Sequence, residues 1–552
     1  MIGKQNKNAN FFDSYVFDNL LPKEHILLDI KKEIDFSFVE KELEDLYNTK
    51  NGRPAYPPEV LFKMLFLEFY YNLSDVEVVK QCQVNILYRY FIDLSIDESI
   101  PDDTTLVVFR KRCGSVRFER LFNRVVEQCK KKGILKENLK ILDATAIEGN
   151  VSVPNRVNIL RQGRKIVIKK IAKVSEIAYD EFKKYINGER LHGNPSKEEL
   201  ESEILKTGEF VKKVKDQYSG SEEVEDLLNM LEELCGHNES DNIGENRENN
   251  IDIRGDNEDK EDKENTIDKD GDVSNKNSKD DDKDKPNKEN NDKSVRKQYP
   301  SQEKHIVSFV DTDVRFGAKS DKKKFVGYKA HICMDESGIV TSVNLLHGNE
   351  NESVDLPSLL RKEQTKGIEG NAVAADSLYD SARNREFIHE LGLKAYIPPR
   401  RKERDEEGFV YDLQNDIITC PYGNIAKSGK SRQENGTLYN FNPKICRACI
   451  DKCKWYKKDR CRLFVSDDLK LRAIDRDDYY NKALMKRKDV ERKFGEGKLW
   501  HGLRRARYRG KWRVTIQVLM TFIVLNIKRM VKMLKESLNK VPNYGTLALE
   551  MG

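Results

Sequence analysis

Apolar residues recur with a helical period through the first quarter of the chain and give way to short strand-like runs after it. Residues 10–135 read as a succession of helices. Gly52-Arg53-Pro54-Ala55-Tyr56-Pro57-Pro58 forms a turn, and Pro57 or Pro58 can open the helix that follows. Val60, Leu61, Phe62, Met64, Leu65, Phe66, Leu67 and Phe69 make that helix apolar nearly all round, which predicts burial. Ser74 suits the N-cap of the next helix, and Pro101-Asp102-Asp103-Thr104-Thr105 leads into an apolar and basic stretch through Val108, Phe109, Arg110 and Arg112. Short helices with basic ends suit a DNA-binding module and, equally, a plain dimerisation domain.

A strand is predicted at 136–149, where Leu139-Lys140-Ile141-Leu142 ends on Asp143. Residues 155–235 read as charged helix, with Ile166, Ile168, Ile171, Val174 and Ile177 as a candidate buried face. Phe325–Met334 and Ile339–Leu346 alternate as a hairpin around Asp335-Glu336-Ser337-Gly338. Helix (355–366), strand (371–376, ending on Asp376), helix (382–391) and strand (394–398) follow, then helix from about 478 past Glu491 and a last helix over 511–537. Strand 139–143, the hairpin and the later strand–helix units together make a mixed α/β sheet flanked by helices. The apolar run within Val514–Val531 is interrupted by Gln517, Asn526, Lys528 and Arg529, so it reads as a buried amphipathic helix and not a membrane span.

Charge sharpens this outline. Between Asn238 and Asp292 stand 20 acidic and 10 basic residues, which leaves +15 for the rest of a chain whose formal charge is +5. A basic body points to a polyanionic partner, or to mere solubility. The acidic stretch, 237–298, is nearly free of aromatics and cannot bury enough apolar surface to order itself. No secretory signal opens the chain, and ten cysteines then point to reduced thiols or a metal site in a cytoplasmic protein. The resulting division is a helical domain (10–135), a first strand with a charged helical insert (136–236), an acidic linker (237–298), a second part of the α/β core (299–415), a Cys-rich insertion (416–470) and a carboxy-terminal helix with a basic segment (471–540).

Three acids occupy places suited to chemistry. Asp143 and Asp376 each end an apolar strand run, and Glu491 lies in a helix with Arg487 before it and Lys498 after it. At ~100° per residue the three helical positions fall within about 40° of one another, although Gly495 and Gly497 are expected to end the helix before Lys498. An ordinary Arg–Glu pair on a solvated helix, and two strand-ending turn residues, would look the same. From Lys482 to Arg513 there are 13 basic residues against three acidic ones, interleaved with Phe494, Trp500, Tyr508 and Trp512, a composition suited to a DNA backbone and an unstacked base. Cys446-x2-Cys449-x3-Cys453, with Cys420 upstream, offers a tetrahedral zinc set, or a small core of reduced thiols. His331 and His347 read as structural, and the lysine run Lys319, Lys322, Lys323 and Lys324 as a solvated loop or a backbone contact.

Asp376-Ser377-Leu378-Tyr379-Asp380-Ser381 resembles the Asp-x-x-Tyr-Asp-Ser signature of insertion-sequence DDE transposases, and Arg487-x3-Glu491-x6-Lys498 resembles the Arg-Glu-Lys part of their third motif. Asp143-Ala144-Thr145 is similar to their first motif, Gly52–Glu59 to the start of their InsH-type amino-terminal domain, and Trp500–Gly510 to their carboxy-terminal segment. The resemblance implies a ribonuclease H-like catalytic core, split by the Cys-rich insertion and preceded by the helical domain. It also implies metal-dependent cleavage and strand transfer at terminal inverted repeats. Asp143, Asp376 and Glu491 would hold Mg2+ or Mn2+, Arg487 and Lys498 would steady phosphate, and a homodimer would hold two DNA ends in a bacterial cytoplasm. The Tyr of the third motif falls at Leu484, so its hydroxyl contact is lost and hairpin-forming cleavage is not carried over. A ribonuclease H-like nuclease without strand transfer, and a decayed protein that only binds DNA, are the rival readings.

Overall fold

A computed structural model describes residues 11–47, 55–236 and 306–538, apart from 153, 174, 187–190, 194, 219–221, 321–322, 401–408, 413–414, 434–435, 450–455, 458–459, 467–470 and 473. The acidic linker expected at 237–298 lies outside the described residues.

Among its described residues the amino-terminal region is built of helices, and their ends follow from local chemistry. Pro58 stands in the first turn of helix Pro58–Tyr70, most of whose residues are buried. Ser74 and Glu77 form a reciprocal capping box on Asp75–Val84, and Asn85 caps Ile86–Phe91. The Asp102 carboxylate accepts from Thr105 N at 2.6 Å to start Asp103–Lys131. That helix is broken at Gly114, whose φ of +62° is available to glycine at little cost.

The central sheet has six strands: β1 (Leu139–Glu148), β2 (Arg315–Ser320), β3 (Lys323–Asp335), β4 (Val340–His347), β5 (Ala372–Ala374) and β6 (Lys394–Tyr396). Their order is β2-β3-β1-β5-β6, with β4 also paired to β3. β3 runs antiparallel to β1, β2 and β4, whereas β1, β5 and β6 are parallel. A helical region followed by this mixed sheet is consistent with a ribonuclease H-like core. β2 was not legible in the sequence; Lys319, Lys323 and Lys324, expected in a loop, lie on β2 and β3, and Lys322 lies outside the described residues.

The two faces of the sheet are covered differently. Ile141 and Ala374 face a large core shared with the amino-terminal helices and the last helix, Lys511–Leu538. Leu142 and Val373 face helices Glu352–Thr365 and Ala382–Glu390. The last helix is long and apolar enough to cross a membrane, but 83% of its most apolar window is buried inside the protein. Its Asn526, fully buried, accepts from Val340 N at 2.8 Å and donates to Val340 O at 2.7 Å, so it is stitched to the edge of β4.

Two further units have cores of their own. Helices Arg156–Ile171, Glu176–Phe182, Lys197–Gln217 and Glu222–Gly236 pack around Leu160, Ile168, Phe182, Phe210 and Leu231, joined by Phe309. Of the face expected there, Ile168 and Ile171 are buried and Ile166 is partly so, but Ile177 is 78% exposed. The helical period does not run through, because the first helix stops at Ile171 and a separate one starts at Glu176. Val174 lies outside the described residues. Between 409 and 466 an antiparallel sheet of six short strands closes over Ile418, Tyr439, Phe441 and Leu463. Sequence reading found only cysteines there.

Candidate active site

The pairing of β1 with β5 covers only Leu139–Ile141 against Ala372–Ala374. Asp143 and Asp376 each lie two residues beyond this ladder, at equivalent positions on neighbouring parallel strands. Side chains alternate along a strand, so both carboxylates follow Ile141 and Ala374 onto the same face of the sheet. One expectation needs correcting: Asp143 does not end its strand. β1 continues to Glu148, and Asp143 pairs with Ile332 of β3. What ends beside it is β5. Asp376 caps the turn Ser377–Tyr379 by accepting from Leu378 N at 2.8 Å.

The third acid arrives from the far side of that face. Helix Tyr480–Arg487 passes at Lys488 into helix Asp489–Trp500, and the two present Arg487 and Glu491 to β1. Arg487 Nη1 lies 3.7 Å from Asp143 Oδ2, and its Nη2 lies 3.7 Å from Glu491 Oε1. Gly495 and Gly497 do not end the helix as expected. It continues to Trp500, and Gly497 leaves room for Leu503, whose Cδ2 a Cβ would meet at 3.1 Å. Lys498 therefore lies on the Glu491 face, two turns on. Leu484 stands on this face too, half-buried, one turn before Arg487.

Burial grades the three acids. The Asp143 side chain is 17% exposed and that of Glu491 is 62% exposed, so the cluster opens to solvent at Glu491. Burial pushes the Asp143 carboxyl up to about 7, and the charges of Asp376 and Glu491 act in the same direction. The Ala144 amide, 2.9 Å away, and Arg487 oppose that shift without cancelling it. Three hard oxygen donors against one arginine suit a divalent cation in chemistry and in charge. They are neighbours and not a closed cage: among the described residues no three His, Cys, Asp or Glu side chains are grouped tightly enough to hold an ion.

The contacts behind the cluster could not be read in advance, although Tyr379, Asp380 and Ser381 stood in the Asp376–Ser381 motif and His331 was expected to be structural. Tyr379 is fully buried and its hydroxyl lies 3.0 Å from His331 Nε2; His331 Nδ1 lies 2.8 Å from Asp355 Oδ2. Asn344 holds the same Asp355 oxygen at 2.8 Å. This chain ties the turn after Asp376 to β3, β4 and helix Glu352–Thr365. Asp380 is bound by Arg385 and Arg472, and Ser381 caps helix Ala382–Glu390. Only the first residue of Asp376–Ser381 thus faces the acids, while the others anchor it. The spacing alone carried no sign of His331 as their partner.

In the second sheet, the Asn424 amide group donates to Cys446 Sγ and its backbone N–H to Cys420 Sγ, each at 3.3 Å. Cys449 follows, its N–H 3.0 Å from Cys446 O. Cys453 lies outside the described residues.

Carboxylates near the parting of two parallel strands, beside an arginine and a basic helix, are consistent with a polynucleotidyl transferase of the ribonuclease H-like class. Comparison with known families agrees: residues 15–112 match a transposase domain (DUF772) and residues 292–527 match a transposase DDE domain. The chain belongs to the DDE transposases with an InsH-type amino-terminal domain. Its business is DNA transposition, with DNA as partner and a divalent metal in the chemistry. Asp143 lies in neither matched segment. Its place in the site rests on the pairing of β1 with β3 and β5.

Proposed function

We propose that the protein cuts the ends of an insertion sequence at their terminal inverted repeats and joins the freed 3′-OH groups to target DNA. Asp143, Asp376 and Glu491 would hold Mg2+ or Mn2+, which when bound would polarise the phosphate and the attacking oxygen. In cleavage a water oxygen bonds to phosphorus and the 3′-oxygen leaves with a proton. In joining, that 3′-oxygen attacks a target phosphodiester and displaces its own 3′-oxygen. Arg487, placed between Asp143 and Glu491, would fix the phosphate and offset its charge, with Lys498 gripping the backbone two turns further on.

The observation that supports this reading is the bridging of Asp143 and Glu491 by Arg487, with Asp376 at the matching position of the neighbouring parallel strand. In a strand-transfer assay with inverted-repeat DNA and magnesium, Asp143→Asn, Asp376→Asn and Glu491→Gln should each lower joining by about 10³-fold or more while DNA binding persists. Full joining by any of them would sink the assignment. Nicks without joined product would favour a nuclease, and a mobility shift without cleavage a decayed DNA-binding protein.

Cys420, Cys446, Cys449 and Cys453 would bind structural zinc, supported by the two thiols that share Asn424. One equivalent of zinc per chain by mass spectrometry, lost in Cys446→Ser, is expected. A homodimer in the bacterial cytoplasm completes the reading, since two ends must be held together.

A further inference from the structure

The segment between the Glu491 helix and the last helix does nothing in the site described above, yet it is built with care. Gly502–Arg513 carries Arg504, Arg505, Arg507, Arg509, Lys511 and Arg513 and no acidic residue. It has no helix of its own before Lys511, but its backbone is fixed at both edges. Glu148 N donates to Arg504 O at 3.0 Å and Ala506 N to Glu148 O at 2.7 Å, which adds the segment as a parallel bridge to the end of β1. The fully buried Gln517 takes the other edge: its Nε2 donates to Gly502 O (2.7 Å) and Arg505 O (2.9 Å), and its Oε1 accepts from Arg507 N at 2.8 Å.

This anchoring sorts the side chains. Leu503 and Ala506 are buried. Arg507 turns inward to Glu68 (3.0 Å), Leu73 O (2.7 Å) and Asn72. Arg504 and Arg505 point out, exposed, and neither guanidinium bonds to a described residue. Acids nearby are few or engaged elsewhere. Asp313 accepts from Lys511 N at 2.7 Å, Glu350 lies 3.8 Å from Lys511 Nζ, and Glu496 pairs with Lys528; Glu148, whose backbone bonds the segment, is exposed. A loop held this rigidly loses little entropy when its arginines engage a ligand.

We infer that Arg504 and Arg505 form a fixed clamp for the DNA backbone, reading phosphate charge and not base sequence. The strand that carries Asp143 sets its reach. Five residues separate Asp143 from Glu148, about 17 Å at ~3.3 Å per residue, which is about five base-pair steps at ~3.4 Å. The clamp would therefore hold phosphates roughly half a helical turn from the bond being cut. It rests on the DNA-transposition reading but not on the metal ligands.

Binding of the full chain to two 40-base-pair duplexes of unrelated sequence, in EDTA and across a NaCl series, tests it. For Arg504→Gln/Arg505→Gln the slope of log K against log[salt] should shrink by about 2 for both duplexes, at ~0.9 per phosphate contact. Arg504→Lys/Arg505→Lys should keep most of the wild-type slope, and the melting temperature should be unchanged in both. An unchanged slope in the Gln variant, or a loss confined to one duplex, overturns the clamp. In the wild-type protein, duplex DNA should also protect both arginines from phenylglyoxal, read by mass spectrometry; full modification in the complex overturns it whatever the variants do. With no metal in either assay, a failed metal assignment would leave these results untouched.

Discussion

Asp143 is the residue on which stability and chemistry pull apart. Its carboxyl is buried beside two other acids, and its raised pKa of about 7, against an ordinary 3.8, means the folded state favours the protonated form. Between about pH 4 and pH 7 the folded protein then holds more protons here than the unfolded chain, so this group makes stability fall as pH rises through that window. In EDTA, Asp143→Asn should remove that fall: relative to the wild type, the variant should gain about 3 kcal/mol of stability between pH 5 and pH 8. Equal melting temperatures at both pH values would show that the carboxyl carries no such burden. The same residue shows how much of the site was legible. Apolar residues before an Asp drew notice to Asp143 and Asp376, and a helical spacing to Arg487 and Glu491, but turn residues and a surface ion pair fitted as well, and only the motif resemblance selected them. Burial, and the alignment of Asp143 with Asp376 across a parallel ladder, could not be read, because both depend on partners more than 170 residues away.

Among the elements, the last helix and β4 depend on one side chain. Asn526 satisfies both backbone groups of Val340 inside the core. Asn526→Leu would strand a buried N–H and C=O, so a loss of about 2–5 kcal/mol in urea denaturation is expected. Gly327 marks a different constraint, where β3 crosses the end of β1. A Cβ there would lie 2.0 Å from Ile147 O and 2.7 Å from Gly149 N, both backbone atoms that cannot step aside. Gly327→Ala should therefore disturb the end of β1, destabilising the protein by about 2 kcal/mol or more. Strong periodicity made the long helices and the β3–β4 hairpin readable in advance. β2 was hidden by lysines, which suggest solvent and not pairing. The second sheet was hidden by strands of only two to nine residues, too short for alternation to speak.

In the molecule as a whole, the amino-terminal helices, one face of the sheet and the last helix share a single core. The helices of 156–236 have another. Native-state hydrogen exchange in rising urea should find amides of Glu59–Tyr70 and Val514–Met530 opening together, and those of helices Arg156–Ile171 and Lys197–Gln217 opening separately. One common opening free energy for all of them would mean that Phe309 couples the two cores fully. The sequence division into a helical domain and a catalytic core followed the order of elements along the chain. The polar residues that interrupt the last helix marked it as buried, but they could not show that it fills the space between the two, since a buried helix does not name its packing partners.

That separate core bears on how the protein is born. β1 leaves the ribosome about 175 residues before β3, the strand that will lie against it. At ~5–20 residues per second the wait is roughly 10–35 seconds. During it, an apolar strand that will later be covered on both faces has no partner strand to pair with. The helices that follow can close on themselves in that interval, and they keep the nascent chain compact without offering β1 a competing strand. The strand that carries Asp143 is thus expected to need shielding during synthesis, since an unpaired apolar strand can pair with another chain.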